Sequence, residues 1–283
     1  MGKICETTFK VISKYYLTTM NNSNPLISII TVSYNAQHTI EKTILSIINQ
    51  TYPNLEYIII DGGSTDGTID IIKKYESKIT KWISEPDKGI YDAMNKGIKL
   101  ANGDWINFMN CGDSFYSTNT LQQVVDKLLT NKDTDVLYGN TIINVTTNKY
   151  MVLPEKLEYI SNHLPFCHQS TLVKTALAKK YPFDLNYKFV ADYNFFYSSY
   201  KKGYTFKYIN IPISNYQIEE GFTANNAYKC VVEECIINNR NISFINKSKH
   251  KLRMFLISHL PKNITNLIRS IQYNRNHRFI KLQ

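Results

Sequence analysis

Apolar and polar positions follow two different periods along the first part of the chain. Residues 26–33 (LISIITVS) and 55–61 (LEYIIID) are apolar at nearly every position, which is typical of strands buried on both faces of a parallel sheet. Between them, Ile40, Ile44 and Ile47 recur at the spacing of one helix face. A strand, a helix and a strand in this order indicate a right-handed crossover unit.

The same alternation continues further along the chain. The pattern predicts helices near residues 69–75, 90–101 and 121–129, and strands near 82–83, 105–109 and 136–138. Such a series predicts an α/β fold, an open mixed sheet with helices on both faces. Ligands of open sheets of this kind bind beyond the carboxyl ends of the strands, so these ends are the first places to search for a site.

Polar side chains follow three of the predicted strands. The segments are 33–35 (Ser-Tyr-Asn), 61–67 (Asp-Gly-Gly-Ser-Thr-Asp-Gly) and 110–113 (Asn-Cys-Gly-Asp). Because the carboxyl ends of parallel strands meet at one edge of a sheet, we expect all three segments to face the same ligand.

Charge divides the chain into a neutral body and a basic tail. The segment after Glu234 contains ten Lys and Arg residues and no Asp or Glu, which matches the formal net charge of +10 for all 283 residues. The body therefore has no global field that would attract a polyanion, and nucleic acid is not an expected partner.

The cysteines and the apolar runs predict where the protein works. Five scattered cysteines without zinc-ligand spacing favour reduced thiols over a disulfide framework. The first residues lack the apolar run of a signal peptide, and no stretch reaches the roughly 18 apolar residues that cross a bilayer. We therefore expect a cytoplasmic protein. The sequence leaves its oligomeric state open.

Two long segments match a known family. Residues 25–68 (PLISIITVSYNAQHTIEKTILSIINQTYPNLEYIIIDGGSTDGT) and 84–115 (SEPDKGIYDAMNKGIKLANGDWINFMNCGDSF) resemble the family 2 inverting glycosyltransferases with the GT-A fold. The first strand is followed by SYNAQH and not by the GxGxxG of a dinucleotide-binding enzyme. The resemblance extends to about residue 225.

The resemblance implies a division of the chain. It predicts an N-terminal extension (1–24), a GT-A domain (25–225) and a basic helical tail (226–283). Within the domain, residues 25–115 would bind the nucleotide and residues 116–225 the acceptor.

The family's chemistry uses a divalent cation to assist a diphosphate leaving group. The resemblance implies Mn²⁺ or Mg²⁺, no organic cofactor, and Asp113 as the metal ligand at a solvent-facing strand end. Asn110 and Gly112 replace carboxylates that often stand beside it, so the cation would depend on the donor's diphosphate for affinity. The alternative is that Asp113 only opens a turn.

The resemblance places further residues on the donor side, where Asp61 would contact the base or ribose. Thr31 could be an ordinary strand residue, and Lys88 a solvated surface lysine. Gly97 inside a helix suggests a close approach of backbone, which the donor could provide. The donor-side residues are Thr31, Ser33, Tyr34, Asn35, Asp61, Asp87, Lys88, Asn95, Gly97, Asn110, Cys111 and Gly112.

The second half supplies the acceptor side. In FVADYNFFY, Asp192 matches the family's catalytic base, although an acid at a helix start also fits a purely structural role. His168 and Gln169 of PFCHQS resemble the stretch that lines the sugar and acceptor, while a histidine beside aromatic rings is also a common structural hydrogen-bonding group. The segment 219–226 (EEGFTANN) could close over the diphosphate.

These residues predict a glycosyltransferase that moves a sugar from a nucleotide diphosphate donor, UDP-linked by resemblance, to a glycan or lipid-linked acceptor in bacterial surface polysaccharide synthesis. One alternative is a module that binds the nucleotide sugar without turnover. A nucleotidyltransferase would need a basic Gly-rich loop early in the chain, which the sequence lacks. The tail, with an apolar stripe (264–271) flanked by cations, predicts peripheral contact with an anionic inner membrane face, or packing on the domain or a second subunit.

Overall fold

A computed structural model describes residues 24–145, 148–216, 226–241 and 276–282. Within these ranges the strands are β1 (Ile27–Ser33), β2 (Leu55–Asp61), β3 (Lys81–Ser84), β4 (Trp105–Phe108), β5 (Ser114–Phe115), β6 (Val136–Val145), β7 (Asn148–Val152), β8 (Thr171–Lys174), β9 (Phe206–Tyr216) and β10 (Phe279–Leu282). The helices are α1 (Ile40–Ile48), α2 (Thr68–Lys74), α3 (Ile90–Leu100), α4 (Thr120–Thr130), α5 (Thr175–Lys180), α6 (Ala191–Lys201) and α7 (Ala227–Ile237). Short 3₁₀ helices cover Glu76–Lys78, Leu157–Ser161 and His168–Ser170. The strands and helices predicted from the first half are confirmed.

The strands form one mixed sheet. Its main path runs β10-β7-β6-β8-β4-β1-β2-β3, and β9 pairs with both β5 and β6. The strands β4, β1, β2 and β3 are parallel, as crossover helices require, whereas β8 joins β4 and β6 antiparallel to both. The predicted open mixed sheet is therefore confirmed.

Helices cover both faces of the sheet, and each face has its own core. Ile29 points to the core that contains Ile44 of α1, and Ile30 points to the opposite core, which contains Met94 of α3. All four side chains are fully buried. A strand that is buried on both sides in this way needs apolar residues at consecutive positions, which explains the unbroken apolar run of β1.

Strand register aligns three polar residues at the carboxyl edge of the parallel strands. Ser33 at the end of β1 pairs with Asp61 at the end of β2, and Asp61 pairs with Ser84 at the end of β3. After β4, Met109 and Cys111 continue along β1 through hydrogen bonds from their amides to Ile30 and Val32. The sheet therefore brings the three polar segments of the sequence to one edge.

Gly97 lies where α3 crosses β1. A Cβ atom at this position would lie 2.5 Å from Cγ2 of Ile30. The close approach that the sequence predicts at Gly97 is therefore present, but the neighbour is the Ile30 side chain in the core and not the donor side of the sheet. The expectation of a donor contact by Gly97 is corrected on this ground.

The chain after residue 225 contains elements of two kinds within its described part. Helix α7 packs on the domain that contains the sheet, with Cys230 buried in the core beside α6. β10 pairs antiparallel with β7, and Arg278 forms an ion pair with Glu155. The sequence analysis expects helices here and does not foresee this strand. The predicted membrane-binding stripe and the loop 219–225 lie outside the described residues.

None of the described helices combines the length and the apolar content that a membrane crossing needs.

Candidate active site

A cavity of about 430 Å³ opens beside the carboxyl edge of the sheet. The polar loop 110–113, the 3₁₀ helix His168–Ser170, the start of α6 and Glu234 of α7 supply its walls. It therefore brings together residues that lie far apart in the sequence, including predicted donor-side and acceptor-side residues.

Asp113 lies in the wall of this cavity. Its side chain accepts a hydrogen bond from Gln169 Nε2 at 2.8 Å, and its carbonyl accepts one from the Thr43 hydroxyl at 2.7 Å. Gly112, with φ of 95°, turns the chain just before it, a conformation that favours glycine. Asp113 is only 4% exposed, so it is more deeply buried than the predicted solvent-facing strand end. These contacts fix the carboxylate at the base of the cavity.

Asp192 also lines the cavity, at the start of α6. Its Oδ1 accepts a hydrogen bond from the Tyr91 hydroxyl at 2.8 Å, and its Oδ2 lies 2.9 Å from His168 Nδ1. Burial acts to raise the pKa of Asp192, but the hydrogen bonds from His168 and Tyr91 outweigh burial, so the pKa is lowered. At neutral pH the side chain is therefore a carboxylate, the form that accepts a proton.

Two consecutive residues connect the two acids. His168 contacts Asp192, and Gln169 donates to Asp113. Nε2 of His168 also lies 3.2 Å from Nδ2 of Asn110, in the same loop as Asp113. The 3₁₀ helix that holds His168 and Gln169 therefore sets the distance between the acid of the loop and the acid of α6.

Asn110 has an unusual environment. Its side chain is 9% exposed and lines the cavity, and its Oδ1 has no hydrogen-bond partner among the described residues. A buried amide oxygen without a partner costs about 1–3 kcal/mol. A bound group that offers a proton or a positive charge would remove this cost.

Asp61 has a different environment, because it is fully buried at the end of β2. Its carboxylate accepts hydrogen bonds from the hydroxyl groups of Ser33, Ser64 and Ser84, and from the amides of Gly63 and Ser64. Burial acts to raise the pKa of Asp61, but these hydrogen bonds outweigh it and lower the pKa. The described contacts of Asp61 organise the loop after β2.

Replacing Asp61 by Asn is expected to reduce the free energy of unfolding by about 2–4 kcal/mol, because an amide NH₂ would face several donors. Urea unfolding at pH 6 measures the effect, and Asp133→Asn in an exposed turn serves as the control. Since the folded pKa is lowered, the stabilisation by Asp61 is complete above the ordinary value of 3.8 and is lost as the pH falls through the folded pKa. The difference in the free energy of unfolding between wild type and variant should therefore become smaller as the pH falls below 3.8. A gap that does not depend on pH would contradict this role.

The residues after β1 divide into buried and exposed groups. Thr31 is fully buried and donates to the carbonyl of Met109, so its side chain lies inside the sheet. Asn35, with φ of 48°, accepts a hydrogen bond from the Thr65 amide. Tyr34 is 67% exposed and lies next to Gly62 at the carboxyl edge. Of these, Tyr34 offers the most accessible surface to a ligand.

Asp87 approaches the same place from the segment after β3. A Cβ at Gly62 would lie 2.5 Å from Asp87 Oδ2 and 3.3 Å from the ring of Tyr34. The glycine therefore leaves room for the carboxylate of Asp87 at the end of β2. Lys88 follows with an exposed side chain.

Asn95 lies away from this edge. Its amide donates to the carbonyl of Phe183 and accepts from the amide of the same residue, at 2.8 and 2.9 Å. Both polar groups of the side chain are used to hold the segment after α5 against α3. The expectation that Asn95 binds the donor is corrected on this ground.

The thiols of the cavity are poor nucleophiles. Burial raises the pKa of Cys111 and that of Cys167 to about 12 each, so both remain protonated at neutral pH. Within the described ranges, no three His, Cys, Asp or Glu side chains converge as a metal site would require. Asp113 therefore belongs to no such group of described residues.

Three residues around Asp192 are not among the predicted site residues. Tyr91, whose pKa burial raises well above its ordinary value, donates to Asp192 from α3. Glu233 and Glu234 lie on α7, beyond the part of the chain that resembles the family. The helical pattern of 227–237 signals an element there, but nothing in its spacing indicates which face meets the cavity.

A family model describes most of this domain. The model of glycosyl transferase family 2 matches residues 28–207, which include β1 without its first residue, the strands β2 to β8, and both Asp113 and Asp192. The chain belongs to glycosyl transferase family 2. The predicted family is thus confirmed, and with it the general activity of a glycosyltransferase.

Relatives within glycosyl transferase family 2 agree with this assignment. The chain is 31% identical over 175 residues to a PGL/p-HBAD biosynthesis glycosyltransferase of Mycobacterium tuberculosis, covering 60% of this chain and 68% of that protein. It is 28% identical over 221 residues to the putative teichuronic acid biosynthesis glycosyltransferase TuaG of Bacillus subtilis, covering 74% and 86%.

Solved structures confirm the GT-A fold of this family 2 chain. S. aureus TarS 1–349 in complex with UDP superposes with a TM-score of 0.57 at 18% identity, covering 81% of this chain and 70% of that chain. The mannosyltransferase PcManGT from Pyrobaculum calidifontis, in complex with GDP-Man and Mn²⁺, superposes with a TM-score of 0.61 at 16% identity, covering 89% and 75%.

Proposed function

We propose that this glycosyltransferase moves a sugar from a UDP-linked donor to an acceptor hydroxyl, with inversion at the anomeric carbon, during synthesis of a bacterial surface glycan. Asp192 is the proposed catalytic base and Asp113 the proposed metal ligand. The relatives named for teichuronic acid and PGL synthesis support the surface glycan, and the TarS complex with UDP supports the donor.

One observation supports the two roles above all others. Asp113 and Asp192 line the same cavity, and the consecutive residues His168 and Gln169 contact one acid each. A transferase with a single displacement needs a leaving-group site and a base on opposite sides of the reacting carbon. Two acids that line one cavity could supply these two sites.

The exposed residues at the carboxyl edge support a nucleobase subsite. Tyr34 offers an exposed ring, and Asp87 offers a carboxylate beside Gly62. A ring that stacks on the base and a carboxylate that accepts from its N–H group would together recognise a pyrimidine. Asp61 then serves by shaping the loop between them.

The oxygen atoms of the cavity fit a divalent cation. Asp113 and Asn110 line it, and the described lining residues include no Lys or Arg that could neutralise a diphosphate. Mn²⁺ and Mg²⁺ prefer oxygen ligands and commonly share them with substrate phosphates. Bound there, the cation would act as a Lewis acid that stabilises the charge of the departing diphosphate.

The chain's own residues then account for the transfer step. The acceptor hydroxyl forms a bond to the anomeric carbon while the bond from that carbon to the diphosphate oxygen breaks. Asp192 accepts the hydroxyl proton, and the hydrogen bonds from Tyr91 and His168 hold its carboxylate in one orientation. Gln169 holds Asp113 in the same way on the donor side.

Release of nucleotide diphosphate tests the proposed function directly. The protein is incubated with UDP-glucose, UDP-galactose, UDP-N-acetylglucosamine and GDP-mannose, each with Mn²⁺, Mg²⁺ or EDTA. We expect release from at least one UDP-sugar that stops with EDTA, and an acceptor hydroxyl should increase it. Binding of UDP in calorimetry without release from any donor would instead identify a binding module that has lost turnover.

The basic tail has a separate proposed role, which is contact with a membrane. Contact of residues 247–281 with an anionic inner membrane face would bring the enzyme to a lipid-linked acceptor. This segment lies mostly outside the described residues, so the contact stays a prediction from the sequence.

A further inference from the structure

A carboxylate outside the family segment faces the cavity from α7. Glu234 lines the same cavity as Asp192, on the wall that α7 contributes. Among the described residues no hydrogen bond satisfies its carboxylate, and its pKa is raised by burial, with a smaller contribution from the charge of Asp192 and against the opposing effects of His163 and Arg240. Burying a carboxylate without a hydrogen-bond donor costs free energy, and the cavity offers Glu234 no fixed donor.

Contacts on both sides of Glu234 along the chain hold it in place. The neighbouring Glu233 accepts hydrogen bonds from the amides of Lys188, Phe189 and Val190, at 2.8, 2.8 and 3.1 Å. These are the residues just before α6, so α7 is attached to the segment that leads into Asp192. Beyond α7, Asn238 donates to the Tyr193 hydroxyl.

The charges of the cavity restrict what can bind beside Glu234. Its described walls contain the carboxylates of Asp113, Asp192 and Glu234, and include no Lys or Arg. A phosphate or a uronate in this place would meet two carboxylates, whereas His163 and Arg240, the basic groups that interact with Glu234, do not line the cavity. A neutral group with hydroxyl donors would satisfy Glu234 instead.

Aromatic residues also line the cavity. Phe189, just before α6, has a partly exposed ring with Lys229 Nζ 5.0 Å from its centroid. Tyr193 and Phe166 are buried, and they stack on Tyr197 and Tyr138. A carboxylate next to aromatic faces is complementary to a sugar ring, which offers hydroxyl donors at its rim and an apolar C–H face.

Resting on the proposed function, we infer that Glu234 and the ring of Phe189 form a subsite for a neutral sugar as the acceptor. Glu234 accepts hydrogen bonds from hydroxyl groups next to the one that attacks. It is thus an acceptor-specificity residue, contributed by a helix that lies beyond the family segment. Asp192 keeps the transfer of the proton.

The test uses Glu234→Gln in the full-length protein, with Glu158→Gln on an exposed surface as the matched control. Using the donor that supports the fastest release, transfer is measured to p-nitrophenyl β-glucoside, β-galactoside and β-glucuronide. We expect the variant to raise the acceptor KM for the neutral glycosides by about tenfold or more, with kcat changed less than about threefold. Release of diphosphate in water alone should stay as in wild type, and wild type should transfer poorly to the glucuronide.

Each other outcome has a definite meaning. An acceptor KM within about twofold of wild type, or a preference of wild type for the glucuronide, would overturn the role of Glu234. Unfolding of both Glu234→Gln and Glu234→Asp would also overturn it, since the carboxylate would then stabilise the fold. If wild type releases no diphosphate from any donor, the proposed function itself fails, which is a distinct result.

Discussion

Replacing Asp192 by Asn is expected to lower the turnover of sugar transfer by about 10²- to 10⁴-fold, the range typical of a lost general base. Asn keeps the shape of the side chain and can still accept one hydrogen bond, from Tyr91 or His168. It cannot accept the proton of the attacking hydroxyl. The affinity for UDP should therefore stay within about twofold of wild type when measured by calorimetry.

The control for this variant is Asp126→Asn, which changes an exposed acid on α4 and should leave turnover unchanged. The pH profile adds an independent check. Because the pKa of Asp192 lies below its ordinary value of 3.8, this residue should cause no loss of turnover between neutral pH and that value. Transfer by Asp192→Asn at near wild-type rate would refute the assignment of Asp192 as the catalytic base. A loss of UDP affinity would instead assign Asp192 to the donor site.

Replacing Asp113 by Ala is expected to lower transfer by about 10³-fold at saturating Mn²⁺, because the charge on the departing diphosphate would lose its stabilisation. The free energy of unfolding of the variant should also be lower by about 1–3 kcal/mol, since the side-chain amide of Gln169 loses its acceptor. Transfer is therefore measured well below the melting temperature, over a series of Mn²⁺ concentrations.

Gln169→Ala separates the two effects of that substitution. It removes the hydrogen bond to Asp113 but leaves the carboxylate, so we expect a loss of only about tenfold. If Gln169→Ala and Asp113→Ala impair transfer equally, the loss of transfer comes from the packing of the loop 110–113 and not from the missing carboxylate of Asp113. Unchanged transfer by Asp113→Ala at high Mn²⁺ would exclude it as a metal ligand.

The sequence predicts the parallel part of the fold well because that part is governed by local patterns. The unbroken apolar runs of β1 and β2 and the helical spacing in α1 each report burial directly. The carboxyl edge follows from them, since crossover connections leave all these ends on one side. Ser33 and Asp61 are therefore correctly expected at one edge.

Side-chain roles at that edge are harder to predict, because they depend on partners that are distant in the sequence. Asn95 looks like a donor ligand in its motif, but Phe183 occupies both of its polar groups. Gly97 signals a close approach correctly, and only the structure identifies Ile30 as the neighbour. Glu234 has no motif at all, because its role depends on how α7 packs against α6.

The path of the sheet ends in two strands of four residues, β3 and β10. β10 is supplied by the last part of the chain and pairs with β7. Long uncovered edge strands are templates for pairing between molecules, and short edge strands limit that hazard. β10 thus covers the edge of β7. A protein shortened before residue 276 would expose this edge, at which copies could pair and aggregate.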